Sequence, residues 1–216
     1  MKHFQMAKKT YESINDKKTL SQVLNGIGEV YLKQEKFDLA LSNFEKALQL
    51  AEEISNQQRL LESLYNLGKI YRIQKKYQIA LDYYHSSLKL AKELNNALYH
   101  GLLLIGIGNI KFKIGKNRSA IKDCEEGLKI ANELKTISVQ KNACKCLYEV
   151  YKSLNRKGIA LTYYEQSIRL KDSLQAKQTT DKILNMEFEK QMLIDSIAHV
   201  EKRRKLQTKH RQILQE

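Results

Sequence analysis

Proline is absent from this 216-residue chain, where average usage near 5% would give about eleven. Tryptophan is absent as well, and glycine occurs only nine times. A loop-rich all-β fold needs both proline and glycine in its turns, so that class is excluded. Long apolar runs are also missing. The longest, from Gly101 to Ile110, is broken by glycines and falls short of the roughly 18 residues of a membrane span. The opening MKHFQMAKKT lacks the continuous apolar stretch of a secretory signal. A cytoplasmic location is therefore expected, with the extracytoplasmic part of a membrane-anchored sensor as the alternative. Three cysteines, Cys124, Cys144 and Cys146, are too few for a disulfide framework. Cys144 and Cys146 lie two apart, about 200° apart around a helix, so they do not converge on a metal. Three free thiols in a reducing compartment are expected.

What remains is 42% hydrophobic and 29% charged, the composition of a helical globular chain of one domain or two small ones. Lysine and arginine total 38 against 24 acids, a net charge of +14. The excess sits in the middle: residues 61–170 carry 19 basic and nine acidic groups. Such a charge favours nucleic acid, anionic surfaces or acidic peptides without choosing among them.

The chain repeats itself every forty residues. Leu24-Asn-Gly-Ile-Gly28-Glu-Val-Tyr31 returns as Leu64 to Tyr71, as Leu104 to Lys111 and as Cys144 to Tyr151. Ala40, Ala80, Ala120 and Ala160 follow twelve residues after each glycine position, then Phe44, Tyr84, Cys124 and Tyr164. Small residues come next, at Ala47, Ser87, Gly127 and Ser167. Leu24, Ile27, Gly28 and Tyr31 share one helical face, and Leu41, Phe44, Ala47, Leu48 and Ala51 share another. Glycine on the first helix and alanines on the second let two backbones approach while an aromatic ring fills the groove.

At these intervals, leucine-glycine, tyrosine, alanine, aromatic and alanine resemble the tetratricopeptide repeat. Lys111 stands where that family has a tyrosine, Tyr148 where it has a glycine, and no unit has its late proline. The resemblance implies an all-α, right-handed α-solenoid of antiparallel helix pairs with a long C-terminal helix. Residues 1–20 form a partial repeat (its second helix only), as though cut from a longer array. Four repeats follow at 21–60, 61–100, 101–140 and 141–180. Residues 181–216 form a capping and connecting helix. Asp181 is placed to start that helix anew, its apolar first part covering repeat 4 and Lys202-Arg-Arg-Lys205 lying exposed. Self-association through this helix is a further expectation. Lys171-Asp-Ser-Leu174 and Met186-Glu-Phe-Glu-Lys190 resemble the segment joining repeat arrays to a membrane helix in bacterial histidine kinases and nucleotide cyclases. That resemblance implies an output domain elsewhere.

Catalytic constellations are not legible. His3, His85, His100, His199 and His210 are scattered, and Gly101-x-x-x-x-Gly106 is followed by Ile107 rather than Lys-Ser/Thr. No enzymatic activity, cofactor or metal is expected. The family resemblance instead implies a concave groove lined by the first helices, where an extended, partly acidic peptide or protein binds. Its residues would be Asn25, Glu29, Tyr65, Lys69, Arg72, Leu102, Ile105, Asn109 and Lys145. Leu102 and Ile105 would anchor an apolar side chain, unless they pack beneath a neighbouring repeat. The family's chaperone-binding carboxylate clamp is matched only at Asn66. Lys36, Lys76, Lys116 and Arg156, forty residues apart in the turns, would form a basic ridge. Nucleic acid is the weaker alternative, because the aromatics are committed to packing.

Overall fold

The computed structural model describes residues 2–213, with side chains over residues 3–196. The described residues form nine α-helices and no strand. A short α1 (Lys2–Ser13) precedes α2 (Lys17–Lys33) and α3 (Phe37–Glu53). The same pair recurs as α4 (Gln57–Ile73) with α5 (Tyr77–Glu93), and as α6 (Ala97–Lys113) with α7 (Asn117–Glu133). It returns in α8 (Ile137–Ser153) and the start of α9 (Lys157–Ile213). The first helix of each pair, α2, α4, α6 and α8, is here an A helix, and its partner a B helix. Successive A helices touch, α2 with α4, α4 with α6 and α6 with α8. Residues Met1–Leu170 make one compact unit and Lys171–Glu216 another. The first unit is an α-solenoid of antiparallel helix pairs.

Turn chemistry sets the helix starts. Before α2, α4 and α6 the residues Asn15, Ser55 and Asn95 take φ near 50° (54°, 50° and 50°). Asn and Ser tolerate that conformation through local hydrogen bonds. The next residue caps the A helix: the Asp16, Asn56 and Asn96 side chains accept from the Thr19, Arg59 and Tyr99 amides at 3.0, 3.0 and 3.1 Å. Lys36, Lys76 and Lys116 open the B helices with no side-chain cap bond.

Inside the first unit the repeat of small and large residues becomes a ring-on-glycine lattice. Phe44 and Tyr84 are 0% and 1% exposed. A Cβ added at Gly28 would collide with the Phe44 ring, and one at Gly68 with the Tyr84 ring. Tyr84 also presses on the next A helix, where a Cβ at Gly106 would stand 2.8 Å from its ring. Phe4 meets Gly26 in the same way. Phe4 with Gly26 and Tyr84 with Gly106 are each 22 residues apart, which is how a B helix reaches the following A helix. Ser21 and Ser87 tie the two helices of a pair by donating to the Ala47 and Leu61 carbonyls at 2.8 and 3.0 Å.

Two substitutions within the repeat pattern are accommodated locally. Lys111, in place of tyrosine, makes a 2.7 Å ion pair with Asp123 on α7. Tyr148 leaves no room for a buried ring, so Tyr164 tilts across it at 5.2 Å and is 44% exposed.

Two expectations need correction. The three cysteines are not all free: Cys124 of α7 and Cys146 of α8 form a disulfide with Cα atoms 6.3 Å apart, and only Cys144 is a buried free thiol. The bond uses the 22-residue relation of Phe4 with Gly26 and Tyr84 with Gly106, so it joins repeats rather than the near pair 144 and 146. Second, no helix begins at Asp181, because α9 runs unbroken through it. At 174–176 the chain reads Leu-Gln-Ala, with Ala where Asp16, Asn56, Asn96 and Thr136 start the earlier A helices, and no glycine or proline follows Gly158. Along the second unit Ile183, Met186, Phe188 and Leu193 are all more than half exposed. The side chains of Lys202-Arg-Arg-Lys205 lie outside the described residues.

Candidate functional site

Three consecutive A helices build one cavity of about 240 Å³. Tyr65 and Arg72 come from α4, Leu102, Ile105, Gly106 and Asn109 from α6, and Asn142 and Lys145 from α8, with the edge of Tyr84 closing it from α5. Helical spacing explains the convergence: residues 65, 105 and 145 are equivalent positions on successive A helices. Because residue 106 has no side chain, the Tyr84 ring reaches α6 and its edge forms part of the cavity lining.

One wall is aromatic. Tyr65 stacks on Tyr84 at 6.0 Å and meets Tyr99 edge-on at 5.4 Å. Burial pushes all three phenols well above the ordinary tyrosine range, so they stay protonated. Arg72 donates from Nε to the Tyr84 hydroxyl at 3.4 Å, which fixes the guanidinium against the wall. Asn109 donates to the Ile105 carbonyl one turn back, at 2.8 Å. Asn142 and Lys145 are exposed at the rim.

Six of the nine groove residues named from the sequence line this cavity: Tyr65, Arg72, Leu102, Ile105, Asn109 and Lys145. Ile105 is only 4% exposed and packs into the α6–α7–α8 core, its side chain lying where a Cβ on Gly127 would stand. It is therefore cavity floor and core at once. Asn25 is elsewhere and unavailable: 6% exposed, it donates to Ser63 Oγ at 2.9 Å and accepts from Asn66 at 3.1 Å. These bonds satisfy buried polar groups between α2 and α4. Glu29 and Lys69 pair with each other across the same helices at 3.3 Å, outside the cavity lining. Tyr84, Gly106 and Asn142 complete the lining. The forty-residue register puts Asn142 on the same groove face as Lys145, whereas Tyr84 and Gly106 read as packing residues.

Lys36, Lys76, Lys116 and Arg156 are all exposed, one at each A-to-B turn. Lys76 lies over the Tyr71 ring, its Nζ 5.7 Å from the centroid. Among the described residues no three His, Cys, Asp or Glu side chains gather to hold a metal, and no helix is long and apolar enough to cross a membrane.

Residues 19–93 match the tetratricopeptide repeat family model. No curated protein sequence matches the chain. Among solved structures, a Rap protein complexed with competence and sporulation factor is similar with a TM-score of 0.71 and 18% identity, over 78% of this chain and 47% of that one. Aspartyl phosphate phosphatase F from Bacillus subtilis gives 0.68 and 16%, over 80% of this chain and 45% of that one. BtubC (BKLC) from P. vanneervenii gives 0.64 and 17%, over 80% and 75%. The chain thus spans about half the length of the first two. At such identities the likeness is one of fold. The fold is a tetratricopeptide-like α-solenoid, and the family's own sequence signature is matched over residues 19–93.

Proposed function

We propose that the chain is a non-enzymatic repeat domain that binds a protein or an extended, partly acidic peptide across its A helices. We further propose that it is the sensory or scaffolding region of a bacterial signalling protein, with residues 181–216 as connector. The observation that carries the first reading is the cavity shared by α4, α6 and α8. It combines an apolar floor, an aromatic wall and two cations, on α4 and on α8 to either side of α6, a mixture suited to side chains of an extended chain crossing the helices. The Rap protein solved with competence and sporulation factor supports a binding role for a solenoid of this kind. A free-standing adaptor or a peptide-responsive regulator would use the same surface.

The test is selection of random peptides displayed on phage against the full chain. Selected binders should lose about tenfold or more in affinity on Leu102→Asp, and less on Asn109→Ala, since central anchors outweigh rim contacts. Both variants must melt as the parent does. Binders indifferent to both changes would refute the groove.

A further inference from the structure

The charge of the cavity is unbalanced. Arg72 and Lys145 line it from opposite sides, on α4 and α8, and no aspartate or glutamate lines it. The nearest acid named for the groove, Glu29, is already held by Lys69 at 3.3 Å. Because Arg72 commits Nε to Tyr84, its two terminal nitrogens remain as a pair of parallel donors. A planar fork of that kind matches a carboxylate. Asn142 adds an amide beside Lys145 at the rim. Neutral phenols on the aromatic wall add no competing negative charge. Between the cations, on α6, stand Leu102 and Ile105, a surface that gains from covering by an aliphatic group.

Size narrows the ligand further. At about 240 Å³ the cavity lies below the range of pockets for drug-sized ligands, so it suits the side chain and polar end of a single residue. We infer that this cavity takes a carboxylate presented beside an aliphatic side chain, an inference that rests on the groove reading above and specifies its ligand. Such a carboxylate comes either from the C terminus of a peptide or from an internal aspartate or glutamate.

Four pools of biotinylated hexapeptides, random at their first four positions, separate these sources on a surface-binding instrument. They end in Ala-Leu with a free carboxylate, Ala-Leu amide, Asp-Leu amide and Asn-Leu amide. The full chain should bind at least one acidic pool about tenfold tighter than its neutral counterpart at low salt. The better acidic pool names the source. The double variant Arg72→Gln, Lys145→Gln should abolish the preference, whereas the same charge removed at Lys36 and Lys76 should leave it intact.

Equal binding of acidic and neutral pools by the parent would overturn the carboxylate and leave the groove standing. A preference that survives the Arg72 and Lys145 changes would overturn this cavity as its source. Failure of every pool to bind would overturn both readings together.

Discussion

The α4–α5 and α6–α7 repeats face the same packing problem and answer it with different chemistry. In α5, Tyr84 lies over Gly68 of its own pair and against Gly106 of the next A helix. In α7 the equivalent residue is Cys124, which sits against Gly108 and is bonded to Cys146, the equivalent of Gly106. A ring resting on glycine holds two repeats by contact area and leaves a hollow at its edge. A disulfide holds them covalently. The hollow is where the candidate site lies. Replacing aromatic by cysteine therefore exchanges contact area for a covalent tie at the next repeat junction.

The comparison is most severely tested at the ring. Tyr84→Ala removes a side chain that is 1% exposed and touches two A helices, so it should cost about 3–5 kcal/mol in urea unfolding. A cost below about 1 kcal/mol would mean the ring does not organise the α4–α6 junction. Next in size is the covalent junction. Reducing the bond between Cys124 and Cys146, or replacing both by serine, should lower stability by about 3 kcal/mol for a loop closed over a separation of 22 residues. Unchanged unfolding with and without reductant would show that the two repeats are held by packing alone. Cys144, whose thiol burial pushes up to about 11, should stay unreactive toward iodoacetamide at pH 8 in both states. The smallest effect belongs to the ridge. Changing Lys36, Lys76, Lys116 and Arg156 to glutamine should shift stability by no more than about 0.5 kcal/mol, because all four are exposed. The same variant would flatten the salt dependence of any nucleic-acid binding.

Much of this was legible in the sequence because the signal repeats. The forty-residue register of Gly28, Gly68 and Gly108 against Phe44, Tyr84 and Cys124 identifies the helix pairs, and the opposite face of each A helix points to Tyr65, Ile105 and Lys145. What escaped was contact between repeats. A helical wheel puts Asn25 on the open face, but α4 brings Ser63 and Asn66 against it, and buried amides take such partners. The bond from Cys124 to Cys146 was hidden for the same reason: its 22-residue relation is visible only once Phe4 on Gly26 and Tyr84 on Gly106 are seen as the same contact. At Asp181 a good capping residue does not begin a helix. A cap helps a helix start but does not stop the preceding one, and Leu174-Gln-Ala176 contains nothing that would.

Amide hydrogen exchange of the full chain, with and without a peptide selected on it, tests the central claim most directly. Protection should concentrate on the segments 61–73, 101–113 and 141–153, which carry the cavity residues of α4, α6 and α8. Protection confined instead to the turns at Lys36, Lys76, Lys116 and Arg156, with those three helices unchanged, would contradict it.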